Sequence, residues 1–190
     1  MANKITGCVF DLDGTLADTA PDIALALNKS LNDAGYRQLP LESVKRMIGN
    51  GIPVLVRRAL FHVEAPDNLA PDVITSMLSY SRKYYCEKSS LMHGVENCLE
   101  GLKKRAIPMS VCTNKDETVA QMVVSALGLN SYFNTIVGSR PDLVKKPDPS
   151  MLQIAAEAIN SPIETTMMIG DSEVDAATGI AASSISVIVR

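Results

Sequence analysis

Short apolar runs alternate with helical patterns through the second half of the chain, and one further run of this kind stands near its start. The apolar residues from Ile5 to Phe10 predict a short buried strand, because the run is too short for a helix and an acidic turn follows it. Such alternation places parallel strands in one sheet with helices on both faces, so the sequence predicts a three-layer α/β fold with a parallel sheet. Further strands are predicted at 107–112, 133–137, 166–169 and 185–189, with helices beginning near Val95, Val119, Pro149 and Glu173.

Residues 17–89 show helical periodicity and no strand pattern. Thr19, Pro21 and Asp22 indicate a capping-box start for the first helix, and Gly35 indicates its end. We therefore predict a helical domain at 17–89, inserted between residues 1–16 and 90–190 of the α/β domain. The other helices of this segment are predicted from Pro40 towards Gly49, from Ile52 to Phe61 and from about Pro71 to Cys86.

Composition excludes several classes of function. The net charge of the 190-residue chain is −3, with no basic stripe and no Trp, which argues against a nucleic-acid partner. No apolar run approaches the ~18 residues that a membrane span needs, so no membrane association is expected. The four cysteines lack the paired spacing of a metal site, and we predict them as free thiols in the core of a cytoplasmic protein.

The first predicted strand ends in two carboxylates, Asp11 and Asp13, before Gly14 and Thr15. Side chains at i and i+2 emerge on the same side of a strand, and the carboxyl ends of parallel strands are where such sheets bind ligands. Two like charges there are costly unless a cation lies between them. The cation that combines few protein carboxylates with several waters is Mg²⁺. An ordinary acidic turn is the alternative interpretation.

The junction after the strand at 107–112 carries Thr113 and Asn114. A hydroxyl next to the free N–H groups of a helix start can seat an anion. Alternatively, Asn114 and Glu117 simply cap the helix that follows.

Two later junctions carry a lysine and further carboxylates. Lys146 lies before Pro147, where a stiffened helix start would hold its ammonium group near the top of the sheet, whereas Lys145 fits a solvated surface lysine. Asp171 leaves its strand as Asp11 does, and Asp175 follows one helical turn later. A turn with Ser172 as a helix cap is the alternative here, but all these groups at strand ends together favour a catalytic site.

The order and spacing of these segments resemble the haloacid dehalogenase-like superfamily of phosphohydrolases, and within it the bacterial phosphoglycolate phosphatases. The resemblance covers essentially the whole chain and implies a Rossmann-like core with an inserted α-helical cap. In that superfamily the chain usually continues beyond the last strand seen here, so apolar surface beside 185–189 is expected to be uncovered. The four matching motifs are Asp11-Leu12-Asp13-Gly14-Thr15, Ser110-Val111-Cys112-Thr113, Lys146-Pro147 and Gly170-Asp171 with Asp175.

The resemblance also implies a role for each of these residues. Asp11 would be the nucleophile that becomes an aspartyl-phosphate, and Asp13 the general acid and base. Phosphoryl oxygens would be held by Gly14, Thr113, Asn114 and Lys146, of which Thr113 and Lys146 are also counted as catalytic. Mg²⁺ would be bound by Asp11, Asp13 (through its backbone carbonyl) and Asp171, with Asp175 behind them. The cap loop Gly49-Asn50-Gly51 would contact the substrate.

The predicted partner is a small phosphorylated metabolite, with 2-phosphoglycolate first, and the protein is expected to be a monomer or a homodimer. Arg57 or Arg58 would suit a substrate carboxylate, although a solvated helix face is an equal alternative. A receiver-like phospho-aspartate switch, a phosphomutase and a dehalogenase remain alternatives. The helical insertion argues against the switch, because a switch needs no cap, and Asp13 argues against the dehalogenase, because a halide leaving group needs no acid.

Overall fold

The computed structural model describes residues 4–189, which divide into two compact units. One unit comprises the residues up to Asp18 together with those from Leu91 onward, and Thr19–Ser90 form the second. The sequence analysis predicted these boundaries at 16/17 and 89/90. The strands of the chain are β1 (Gly7–Phe10), β2 (Ala17–Asp18), β3 (Ser90–Leu91), β4 (Met109–Asp116), β5 (Ile136–Ser139), β6 (Thr166–Gly170) and β7 (Ile185–Ile188). The short strands β2 and β3 pair with each other.

The first unit, which we call the core unit, is built on a five-stranded sheet in the order β5-β4-β1-β6-β7. All four strand pairs are parallel, and the central strand β1 pairs with both β4 and β6, with Phe10 opposite Val111 and Ile169. The predicted α/β fold class is therefore confirmed.

Alternation along the strands gives the sheet two apolar faces. Val9 and Met168 pack in one buried cluster with Leu152 of a helix that follows β5. The opposite face, which includes Phe10 and Ile169, lines an apolar cavity of about 490 Å³. Val187 and Val189 also line this cavity.

The helices of the chain agree with the predicted positions, with corrections at several ends. The helix predicted after Pro40 is shorter than expected, since turns replace it after Lys45. The helices are α1 (Ala20–Asp33), α2 (Leu41–Lys45), α3 (Ile52–His62), α4 (Ala70–Lys83), α5 (Val95–Lys104), α6 (Glu117–Ala126), α7 (Ser150–Glu157) and α8 (Glu173–Ala182), with single 3₁₀ turns at Asp67–Leu69 and Ile163–Thr165.

The second unit, which we call the helical unit, packs α1 to α4 around a core of its own that includes Leu27, Leu60 and Met77. The predicted capping box at Thr19 is wrong, because the Thr19 side chain makes no cap hydrogen bond. The Asp22 carboxylate accepts instead from the backbone N–H groups of Lys88 and Ser89, at 3.0 and 2.8 Å. A distant buried contact has replaced the local one.

Two further predictions are corrected in the core unit. The strand predicted from Phe133 begins only at Ile136, and the Phe133 ring instead packs edge-on against Phe10 with 6.0 Å between ring centroids. All four cysteines are free, but only Cys8 and Cys112 are buried, whereas Cys98 is exposed on α5. Among residues 4–189 no helix combines the length and apolar character of a bilayer span.

Candidate active site

Asp11 directly follows β1 and lies at the carboxyl end of the sheet. Its backbone N–H donates to the carbonyl of Ile169 at 2.8 Å, which extends the pairing with β6 by one residue. Its carboxylate accepts a hydrogen bond from Lys146 Nζ at 2.9 Å. Burial raises the pKa of Asp11 to about 6, although the positive charge of Lys146 acts in the opposite direction. A carboxylate this well fixed and desolvated is a suitable nucleophile.

Lys146 is almost fully enclosed in the site, with 2% of its side chain exposed. Besides Asp11, its ammonium group donates to Asp175 Oδ1 at 2.6 Å and to the carbonyl of Cys112 at 2.8 Å. Burial alone lowers the pKa of Lys146, but the carboxylates of Asp11 and Asp175 outweigh it and the pKa is raised. The lysine is therefore charged at neutral pH, and it links the residue after β1, the backbone of β4 and the first turn of α8.

Asn114 holds this lysine through the backbone. Its side-chain oxygen accepts from the Lys146 N–H at 2.9 Å, and its side-chain N–H donates to the Lys146 carbonyl at 3.0 Å. The predicted capping of α6 by Asn114 and Glu117 is therefore wrong. The cap of α6 is Asp116, whose carboxylate accepts from Val119 N–H at 3.1 Å, while Glu117 accepts from the backbone of β5. A contact of the Asn114 amide with phosphate stays a prediction.

Three carboxylates provide a site where a metal ion fits. One oxygen of each of Asp11, Asp171 and Asp175 lies within 4.8 Å of the other two. Hard cations such as Mg²⁺ prefer carboxylate oxygens and retain several waters, and the exposed position of Asp171 leaves access for such waters. Burial raises the pKa of Asp171, whereas a hydrogen bond from Thr15 Oγ1 at 3.1 Å acts in the opposite direction. The donor set suits a divalent metal ion.

The four aspartates predicted for the site, Asp11, Asp13, Asp171 and Asp175, have different surroundings in the structure. Asp175 was predicted to lie behind the metal ligands, and both its oxygens are already used, by Lys146 and by the Ser172 N–H and hydroxyl. Ser172 also caps α8, so the capping alternative and the site interpretation are both true of this segment. The side chain of Asp13 is not part of the acidic group.

Gly14 separates Asp13 from Thr15 and allows the close approach of Asp171. Its φ is +86°, and a Cβ atom at this position would lie 2.4 Å from Asp171 Oδ2. Both the backbone conformation and the space therefore require glycine. Its predicted role in phosphate binding is untested, but its role in admitting Asp171 to the site is visible.

Lys115 was not among the residues predicted for the site. Its ammonium group donates to Asp13 Oδ1 at 2.8 Å, and only 11% of the Lys115 side chain and 14% of the Asp13 side chain are exposed. Thr113, which is buried, accepts from the Lys115 backbone N–H at 3.3 Å. Lys115 follows Thr113 by two residues on a strand that continues to Asp116, and this spacing was the available signal.

The remaining predicted residues belong to the helical unit. Gly49 and Gly51 have φ of +116° and +80°, so the loop that contains Asn50 has the backbone shape that only glycine adopts readily. Arg57 forms an exposed ion pair with Asp67, and Arg58 donates to the carbonyl of Met47 at 3.0 Å. Arg57 is thus paired with a carboxylate of the protein and Arg58 is bound to a carbonyl, so the interpretation of either arginine as a carboxylate ligand of the substrate stays a prediction.

Comparison with known proteins places this site in a family. The model of a family described as haloacid dehalogenase-like hydrolase matches residues 8–189. A phosphoglycolate phosphatase of Cereibacter sphaeroides is 37% identical over 178 residues, covering 93% of this chain and 81% of the relative. One of Colwellia psychrerythraea is 34% identical, over 88% and 76%. The crystal structure of a predicted phosphoglycolate phosphatase from Haemophilus somnus 129PT superposes with a TM-score of 0.89 at 27% identity, over 99% of this chain and 86% of that one.

Proposed function

Because the chain belongs to the haloacid dehalogenase-like hydrolases, we propose that it is a Mg²⁺-dependent phosphate-monoester hydrolase whose first substrate is 2-phosphoglycolate. The observation that carries the proposal is the environment of Asp11. This carboxylate is buried, lies 2.9 Å from Lys146 Nζ, and shares a 4.8 Å cluster of oxygens with Asp171 and Asp175. A nucleophile, a fixed cation and a metal-binding group therefore occur together.

In the first step, an oxygen of Asp11 attacks phosphorus and the bond from phosphorus to the alkoxide oxygen breaks. Asp13 donates a proton to that oxygen, so that an alcohol leaves instead of an alkoxide. The product on the protein is an aspartyl-phosphate. Lys146 stays charged throughout and lies beside the attacking carboxylate, where it stabilises the negative charge on the phosphoryl group.

In the second step, Asp13 accepts a proton from water as the water oxygen attacks phosphorus, and the bond between phosphorus and Asp11 breaks. Phosphate is released, Asp11 is again a carboxylate, and Asp13 again carries the proton that the first step requires. Asp11 and Asp171 would hold the Mg²⁺ ion, with Asp175 supporting them and with the backbone carbonyl of Asp13 as the predicted further ligand. When bound, such an ion neutralises charge on the phosphoryl oxygens.

The choice of 2-phosphoglycolate is supported by the relatives, which are phosphoglycolate phosphatases at 34–38% identity. We assign the helical unit the role of a cap and the loop Gly49-Asn50-Gly51 that of its substrate contact. Substitution of Asn50 by Ala is expected to raise KM for 2-phosphoglycolate and to leave the core unit folded.

The test is a phosphate-release panel with Mg²⁺ and with EDTA, using 2-phosphoglycolate, sugar phosphates and nucleotides. Wild type is expected to release phosphate only with the metal, and kcat/KM should be largest for 2-phosphoglycolate. Asp11→Asn should lower kcat by on the order of 10⁴-fold or more, because it removes the nucleophile. Asp142→Asn, an exposed aspartate paired with Arg140, is the matched control and should behave as wild type.

Three results would contradict parts of the proposal. Equal kcat/KM for sugar phosphates would overturn the choice of substrate and leave the hydrolase. Conversion of one sugar phosphate into another without phosphate release would identify a phosphomutase. A phosphoprotein that persists for minutes in the presence of Mg²⁺ would identify a phospho-aspartate switch.

We also propose that the enzyme acts in the cytoplasm. The four free cysteines support this assignment, because thiols persist in reducing compartments. Whether it acts as a monomer or a homodimer is determined by light scattering of the purified protein.

A further inference from the structure

Each of the two carboxylates that follow β1 has a lysine of its own. Asp11 pairs with Lys146, which comes from the segment before α7, and Asp13 pairs with Lys115, which comes from the end of β4. The first lysine also contacts Asp175 and the carbonyl of Cys112. The hydrogen bond from Lys115 Nζ runs to Asp13 alone among the side-chain contacts described for residues 4–189. The two ion pairs therefore have no residue in common.

The Lys115–Asp13 pair is enclosed enough for its geometry to be defined. At most 14% of either side chain is exposed, and Lys115 Nζ lies 2.8 Å from Asp13 Oδ1. Surface lysine pairs rarely hold one geometry, because the long side chain loses rotamer freedom and solvent screens the charges. Partial burial reduces the screening, so this pair restricts the Asp13 carboxylate more than a surface pair would.

Asp13 needs such a restraint. It lies two residues from Asp11, and like charges at this separation repel each other. Gly14, which follows it with φ of +86°, gives the backbone conformational freedom on its other side. A proton donor is effective only when it lies within hydrogen-bond reach of the oxygen that it protonates, and displacements of about 1 Å cost rate.

The backbone of Lys115 is itself fixed to the site. Its N–H donates to Thr113 Oγ1 at 3.3 Å, and the strand continues to Asp116, which caps α6. The lysine is thus anchored between a buried hydroxyl and a helix start, and its side chain reaches across 102 residues of sequence to Asp13.

We propose that Lys115 is a positioning residue that holds the Asp13 carboxylate where it transfers a proton to the leaving group. The inference rests on the proposed hydrolase function, and in particular on Asp13 as the acid. Lys115 acts through Asp13 and not on the phosphoryl group.

The experiment compares two monoesters with Mg²⁺: 2-phosphoglycolate, whose alkoxide leaving group needs a proton, and p-nitrophenyl phosphate, whose leaving group does not. The readout is the ratio of kcat/KM for the aryl ester to kcat/KM for the alkyl ester, because kcat/KM covers only the steps up to departure of the leaving group. Lys115→Met is expected to raise this ratio at least about tenfold, since general-acid catalysis contributes about 10² to 10⁴. Lys115→Arg should restore most of the wild-type ratio.

Two variants serve as references. Asp13→Asn gives the ratio expected when the acid is lost completely. The double variant Asp13→Asn/Lys115→Met should have the same ratio as Asp13→Asn, because the effects of two residues that act as a unit do not add. Lys104→Met removes an exposed lysine of α5 and should leave the ratio unchanged. Melting curves establish that each variant is folded.

An equal loss of kcat/KM with both esters would overturn the inference, because it would mean that Lys115 supports the fold or attracts the phosphate dianion. An unchanged ratio in Lys115→Met would overturn it as well. If wild type itself releases no phosphate from either ester, the proposed function fails first. The failure of the inference and that of the function are therefore distinguishable.

Discussion

Replacement of Lys146 by Met tests the electrostatic argument for the site directly. The variant keeps a side chain of similar length but removes the ammonium group that donates to Asp11, Asp175 and the Cys112 carbonyl. Two buried carboxylates then lose their cation. Breaking a buried pair by removing one partner typically costs about 3–5 kcal/mol in the free energy of unfolding.

This cost translates into a measurable change in melting temperature. For a chain of this size, 1 kcal/mol shifts Tm by about 2–4 °C, so Lys146→Met is expected to melt ~6–20 °C below wild type in EDTA at pH 8. Calorimetry is the assay, because it resolves separate transitions if the core unit and the helical unit unfold independently. EDTA is required so that no divalent cation replaces the lysine.

The loss should depend on pH. In wild type, burial already raises the pKa of Asp11 to about 6, and Lys146 is among the groups that lower it, so the variant should have a still higher pKa. A carboxyl group whose folded pKa exceeds its unfolded value takes up a proton more readily in the native state, and stability is lost as the pH rises through the folded pKa. The deficit of Lys146→Met should therefore be smaller at pH 5.5 than at pH 8, by at least about 1 kcal/mol.

The chain offers a matched control in the preceding lysine. Lys145 is partly buried, and burial lowers its pKa, so its charge is not stabilised as that of Lys146 is. Lys145→Met should change the free energy of unfolding by less than about 1 kcal/mol at either pH. Equal melting shifts in the two variants, or a Lys146→Met deficit that is the same at both pH values, would refute the reasoning.

Three further predictions concern other parts of the molecule. Asp22→Ala leaves the Lys88 backbone N–H without its acceptor, which should lower the free energy of unfolding by about 1–3 kcal/mol. Limited trypsin digestion should therefore cut after Lys88 faster in Asp22→Ala than in wild type, whereas Asp22→Asn should be cut at the wild-type rate. Gly14→Ala should weaken Mg²⁺ binding at least about tenfold in isothermal titration calorimetry, because its Cβ would clash with Asp171. In the native core unit, a thiol reagent should modify the exposed Cys98 first. Burial raises the pKa of Cys8 to about 11 and that of Cys112 to about 12, so these two thiols should react only after unfolding.

Periodicity and turn chemistry were sufficient for the outline of this fold. The helix at Glu173–Ala182 was predicted with its observed bounds, because Ser172 caps it and Asp175 lies in its first turn. The strand after Met109 was predicted from its apolar residues alone, but it continues through polar residues to Asp116, where pairing with β5 resumes after a bulge. Local signals decide that an element exists, while neighbouring strands decide where it ends.

The candidate site, like the fold, could be predicted from the sequence only in part. The sequence alone determined that Asp11 and Asp171 directly follow strands, and the alternation of short strands and helices brings such ends to one edge of a parallel sheet. Thr113 was predicted to end its strand but lies within β4, and Lys146 comes from the segment before α7. The sequence also determined the apolar character of both sheet faces.

Only the tertiary structure decided which polar groups meet. Asn114 binds the backbone of Lys146, 32 residues away, and Lys115 reaches Asp13 across 102 residues, and the spacing of residues along the chain does not specify either partner. The physical reason is that a buried polar group must find a partner, and the partner is whatever the packed chain brings within about 3 Å. A sequence pattern indicates which residues are buried and on which face of a helix or strand they lie, whereas the partner of a buried polar group depends on how the whole chain packs.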